Sequence, residues 1–164
     1  MVRAGESPLD CAARLAADKA RAIARAVPGA LVLGADTVVE LGGEALGKPA
    51  GAAEARAMLA ALAGTSHAVT TALSLVGPRA TQTEVVTSDV RMRRIGEAEL
   101  EDYVAAGEWR DKAGAYAIQG MAAAFVTEVR GSVTNVVGLP LAETLALLAR
   151  AGGPGPRYQQ GVPA

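Results

Sequence analysis

The stretch Leu31 to Val39, LVLGADTVV, sets one carboxylate into an otherwise apolar strand pattern. A strand that is apolar on both faces asks for neighbours on either side. An acid within it must find a partner, a metal or a proton, because an unpaired buried charge costs several kcal/mol or more. Twelve residues after Asp36 the chain reads Leu46-Gly47-Lys48-Pro49, so a cation follows the anion across a short turn at Gly42-Gly43-Glu44.

The flanking segments read as helices and strands in alternation. Ser7-Pro8-Leu9-Asp10 is a helix start, with Ser as N-cap, Pro at the first helical position and Asp at N3. From there to about Ala26 a weak apolar face is expected from Cys11, Leu15, Ala22 and Ile23. Pro28-Gly29 stops that helix before the strand at 31–39. Ala52 to Ala63 is a second helix ended by Gly64. His67 to Val76 and Thr83 to Ile95 read as an antiparallel hairpin. Gly96 to Ala106 is helical, Gly107 to Gly120 is loop-rich, and Ala124 to Val129 and Thr134 to Val137 read as short strands. Pro140 to Arg150 is an amphipathic helix with Leu141, Leu145 and Leu148 on one side. The pattern predicts an α/β or α+β fold with a mixed sheet and flanking helices. One domain over residues 1–151 and a disordered Gly/Pro-rich tail over 152–164 complete the expectation.

Composition narrows the function. The chain has 164 residues, 51% of them apolar and 20% charged, as a globular domain does. Much of the apolar fraction is alanine and only 3% of residues are aromatic, so small side chains should fill the helical core. A net charge of −1 gives no case for nucleic acid or an anionic membrane as partner. Cys11 is the only cysteine, which excludes an intrachain disulfide and suits a reducing cytoplasm. No apolar run reaches membrane-spanning length.

Several residues could carry chemistry. Asp36 and Thr37 lie inside or at the C-terminal end of the first strand, and that end is where open α/β sheets bind ligands. Asp36 could hold a divalent cation or take a proton from water; it could equally cap the following turn. Lys48 could grip a phosphate as a point charge, or be an ordinary solvated lysine, and the same choice applies to Lys19 on the first helix. In Asp111-Lys112-Ala113-Gly114-Ala115-Tyr116-Ala117-Ile118-Gln119-Gly120, the glycines let backbone approach a ligand closely, and Gln119 offers donors and an acceptor. Gln119 could instead tie two loops together. His67 reads as a structural histidine, with no second His or Cys to complete a zinc site. Taken together the residues suit a small phosphate-bearing ligand with a divalent metal.

The segments ADTVV, GKP, GTSHAVTTALSLV, DYVAAGEWRDKAGAYAIQG and GSVTNVVGLPLAETLALL resemble, in order and spacing, those of the Maf family of nucleoside triphosphate pyrophosphatases. The resemblance covers nearly everything from Glu6 to Arg150. It implies an inosine-triphosphatase-like architecture, often dimeric and cytoplasmic. It also implies hydrolysis of a nucleoside triphosphate to the monophosphate and pyrophosphate with Mg²⁺ or Mn²⁺. Asp36 matches the family's proton acceptor and would activate water or carry the metal; Lys19 and Lys48 match its phosphate-binding lysines, and Thr37 and Gln119 positions associated with base choice. ADT together with AIQG resembles the branch acting on dTTP and UTP, with modified pyrimidine nucleotides as further candidates.

The family begins with a strand and an S-x-S-P-R-R turn, and a glutamate precedes the GES segment. Here Met1 falls about where that glutamate would be. The expectation is a start codon placed too late, since the remaining motifs are unbroken, and a strand at 31–39 left with an apolar edge. The competing expectation is a truncated copy: an impaired nucleotide-binding or interaction protein without those phosphate ligands.

Overall fold

A computed structural model of the protein describes residue 3, residues 5–78 and residues 80–153. Helix α1 spans Pro8–Ala24 and starts as its sequence dictates, the Ser7 side chain accepting from the Asp10 backbone N–H. Strand β1, Val32–Leu41, leads through a two-glycine turn into β2, Glu44–Leu46. Gly42 and Gly43 both have positive φ, 61° and 88°. Two such residues in a row build the hairpin turn whose twist matches its strands. The sequence pattern predicts a turn here and no strand; β2 is the difference.

After helix α2, Ala52–Leu62, strands β3, Ser66–Val76, and β4, Thr81–Met92, form the expected hairpin. Helix α3, Glu97–Ala106, follows, and 3₁₀ turns at Ala113–Ala115 and Met121–Phe125 lead to β5, Val126–Arg130. Helices α4, Val133–Val137, and α5, Leu141–Arg150, close the described chain. The α/β class holds, with a five-stranded sheet in the order β2-β1-β3-β4-β5. All four pairings among the described residues run antiparallel.

Three local expectations give way. Thr134 to Val137 is helical, not a strand: Ser132 caps the Asn135 N–H and Gly138 ends the turn at φ 116°. The β-branched run that suggested a strand is overridden by this local capping. The buried stripe of α1 is Ala12, Ala16 and Ala20, while Ile23 is exposed. On α5 the fully buried leucine is Leu147, and Leu141 is exposed. The tail reading at 152–164 falls, from residue 154 on, outside the described residues; before it, the Gly153 N–H donates to the Leu148 carbonyl.

Helices cover both faces of the sheet. On one, α1 lays Ala12 and Ala16 against Ala72, with Val38 and Val85 beside them. The approach is close enough to require a glycine: a Cβ on Gly34 would stand 2.2 Å from the Ala16 carbonyl oxygen. On the other face, Leu59, Leu62, Met92, Leu100, Tyr103, Trp109 and Phe125 form the largest apolar cluster. A second cluster joins Leu73 and Leu75 to Leu147 of α5. Burying each such leucine contributes roughly 1.5–3 kcal/mol. Strand β2 pairs β1 only at Val39 to Leu41, so residues 32–38 have β3 on one side and no strand on the other among the described residues.

Candidate active site

The residues expected from the sequence gather along that open edge. Successive strand residues project to opposite faces, so Asp36 lies on the α1 side with Gly34 and Val38, and Thr37 on the side of α4 and α5. A cleft of about 310 Å³ takes in both, bordered by Lys19, Lys48, Asp111, Lys112, Tyr116, Gln119, Val136 and Val137 among others. All five residues expected from the sequence therefore line one cleft: Lys19, Asp36, Thr37, Lys48 and Gln119.

Each is placed by a local cause. The tight α1 contact at Gly34 brings Lys19 to Asp36, with Nζ 2.5 Å from Oδ1 and 3.3 Å from the Ala35 carbonyl. Asp36 is 17% exposed and Lys19 58%, so the acid is recessed and the amine reaches in from solvent. The other Asp36 carboxylate oxygen makes no hydrogen bond among the described residues. Lys48 sits beyond the β2 edge, on a loop tied to the opposite wall by the Gly114 N–H donating to the Gly47 carbonyl. Its Nζ lies 3.9 Å from Asp111 Oδ1, both groups well exposed.

The wall formed by 111–119 is strained. Asp111 and Ala115 have φ of 61° and 63°, a region that costs a residue with a Cβ roughly 1–2 kcal/mol. Such strain persists only where surrounding structure enforces it, and it clusters at ligand sites. Sequence reasoning singled out this stretch for its glycines and Gln119 but passed over Lys112, a third amine on the cleft. The Asp111–Lys112 pair beside Gly114 was the available signal.

Behind the cleft, His67 is 3% exposed and its Nε2 lies 2.8 Å from Tyr116 Oη. Burial holds the imidazole pKa down at about 4 and pushes the Tyr116 phenol up. His67 is therefore a neutral buried histidine as a structural role requires, but it is only half satisfied: Nε2 is paired and the buried Nδ1 has no hydrogen-bond partner among the described residues. Thr37 Oγ1 lies 2.8 Å from Thr71 Oγ1, its cross-strand partner, and Thr71 is fully buried. Alternation along β3 sets Thr71 on the face of Val69, Leu73 and Leu75 and Thr70 on the other, but nothing in the sequence ties Thr71 to Thr37.

Carboxylates on the cleft are Asp36 and Asp111. Among the described residues no three His, Cys, Asp or Glu side chains are grouped to hold a metal ion. This donor set fits a divalent cation arriving with phosphate oxygens and water, which needs one or two carboxylates, rather than a cation caged by protein.

An acid and several amines around a narrow cleft on a sheet edge are the equipment of an enzyme handling phosphate esters or anhydrides. Residues 2–151 match the family model described as Maf-like protein, and the chain belongs to that family. It is 58% identical over 158 residues to a dTTP/UTP pyrophosphatase of Anaeromyxobacter dehalogenans strain 2CP-1, covering 93% of this chain and 78% of that one. Proteins of the same description from Cereibacter sphaeroides and Myxococcus xanthus are 55% and 52% identical, each over 93% of this chain and 79% and 78% of theirs. Among the described residues no helix is long and apolar enough to cross a membrane.

Proposed function

We propose that this chain hydrolyses dTTP or UTP to the nucleoside monophosphate and pyrophosphate. The observation that carries the reading is the shared cleft, with Asp36 and Lys19 toward one face of β1, Thr37 toward the other, and Lys48 on the loop beyond β2. That division suits a ligand with a polyanionic end and a flat polar end. The relatives' description as dTTP/UTP pyrophosphatases supports the choice of substrate.

In this reading Asp36 accepts a proton from water as the water attacks the α-phosphorus. The bond from that phosphorus to its bridging oxygen breaks and pyrophosphate leaves. Lys19 and Lys48 neutralise charge on the phosphates, and Lys112 lines the same cleft from the 111–119 wall to assist. Lys19 also keeps the Asp36 carboxylate pointed into the cleft through Oδ1, leaving the second oxygen for water. Thr37 and Gln119 select the base. A divalent cation held by Asp36 would screen the triphosphate and polarise its α-phosphorus. The proposed setting is the cytoplasm, where such nucleotides are held and Cys11 remains a thiol.

The test is pyrophosphate release from dTTP, UTP, CTP and GTP with Mg²⁺ or Mn²⁺. Release from dTTP and UTP, abolished by Asp36→Asn with nucleotide binding retained, is the expected result. A folded chain that binds nucleotide without releasing pyrophosphate, or one in which Asp36→Asn changes nothing, overturns the reading.

A further inference from the structure

We infer that Thr71 is a positioning residue that turns the Thr37 hydroxyl into an obligate hydrogen-bond acceptor, matched to the N3–H of uracil and thymine. The inference rests on the proposed function, because it takes Thr37 to face the base.

The direction of each hydrogen bond follows from which groups can only accept. Thr71 Oγ1 donates to the Asn135 backbone carbonyl at 3.1 Å. A carbonyl has no proton to give, so the single hydroxyl proton of Thr71 is committed there. Thr71 Oγ1 also lies 2.8 Å from Thr37 Oγ1. One of the two must donate, and only Thr37 has a proton left. The Thr37 hydroxyl therefore points its hydrogen at Thr71 and leaves lone pairs for the cleft that it lines.

The acceptor at the end of this relay is held firmly. Asn135 is fully buried, and its Nδ2 donates to the Val69 carbonyl and to Ser88 Oγ, both at 2.9 Å. Its own N–H donates to Ser132 Oγ. Gly138, just beyond α4, keeps the space beside the hydroxyl open, since a Cβ there would lie 3.4 Å from Thr37 Oγ1.

An acceptor-only hydroxyl discriminates between pyrimidines. Uracil and thymine carry a hydrogen on N3, and cytosine carries a lone pair. Against cytosine the Thr37 lone pairs meet another acceptor, and an unpaired polar contact is what makes such rejection strong.

The experiment measures UMP and CMP affinity by calorimetry on the whole chain. The unsubstituted protein should prefer UMP by at least about tenfold. Thr71→Val keeps the shape but removes the acceptor, so the Thr37 proton is free to turn toward the ligand. UMP should then bind more weakly and CMP more tightly, and Thr71→Ser should restore the preference. A merely structural role would weaken both ligands together, and that result overturns the inference. A UMP preference untouched by Thr71→Val but lost in Thr37→Val sinks the relay and spares the site reading. A preference untouched by Thr37→Val as well, or no binding of either nucleotide, sinks both. Should Thr71→Val not fold, the unsubstituted chain decides with 3-methyluridine monophosphate, which lacks the N3 hydrogen. Binding as tight as that of UMP overturns the inference.

Discussion

Gly34 passes beneath Ala16 so closely that a Cβ would stand 2.2 Å from the Ala16 carbonyl oxygen and 2.9 Å from the Ala20 nitrogen. Lys19 lies on the same turn of α1, so this contact sets how far its amine must reach to meet Asp36. Gly34→Ala should force the helix outward, at a cost of roughly 1–3 kcal/mol from overpacking. Thermal unfolding should show a lower midpoint. Pyrophosphate release should fall further than the folded fraction does, because the amine and the acid separate. An unchanged midpoint would mean that the helix yields freely.

The lysines should behave in the opposite way. The Lys19–Asp36 pair is open to water on the lysine side, and exposed pairs contribute about 0–1 kcal/mol. Lys48→Met should therefore leave the unfolding midpoint nearly unmoved, and Lys19→Met should lower it only modestly, since the recessed Asp36 loses its side-chain partner but keeps water on the lysine side. If their amines face transition-state charge, each should lower kcat by about a hundredfold. Steady-state kinetics beside a melting curve separates the two effects.

His67 makes stability depend on pH. Its folded pKa is about 4 against an ordinary 6.5, so between those values the unfolded chain binds more protons than the folded one. The contribution is complete above pH 6.5 and is lost as pH falls toward 4, amounting to about 3 kcal/mol in total. Glu6, held down at about 2 by Arg14, and Glu99, held at about 2 by Arg93, act in a lower window, from 4.5 downward. Urea titrations at pH 7 and 5 should differ for the natural chain and converge for His67→Gln.

The parts legible in the sequence were those with strong local signals. The Ser7-Pro8 helix start, the β3–β4 hairpin and the Asp36 strand each follow from capping, alternation or apolar run length. The three-residue strand β2 is too short to show a period and depends on two glycines that read as a turn alone. Helix α4 was hidden because its valines favour strands while its cap is a single serine. The alanine stripe of α1 carries little hydropathic contrast, so Ile23 seemed a better core residue than it is. At the site, the charged and Gly-flanked residues stood out, whereas Thr71 acts through a register that only pairing with β1 reveals.

The Asn135 knot yields a prediction whose sign depends on pH. Its side chain gives two hydrogen bonds and sits where every facing group accepts: the Val69 carbonyl, and Ser88 Oγ, whose own proton goes to the Ser132 carbonyl. Asn135→Ala should remove the side-chain donor to the Val69 carbonyl and one of the two donors to Ser88 Oγ, which keeps the Ser132 N–H, and should cost roughly 1–3 kcal/mol. Asn135→Asp, nearly identical in shape, should cost more at pH 7, because an ionised carboxylate would face oxygen lone pairs without water. Burial and these neighbours would raise the pKa of the new acid, so acidification should return part of the loss by supplying one donated hydrogen bond. Urea titrations of the three proteins at pH 7 and pH 5 give the comparison. Correction for the His67 contribution, which weakens every variant alike over that interval, should leave Asn135→Asp alone gaining stability as pH falls. Loss of stability by all three in parallel would show that water reaches this position.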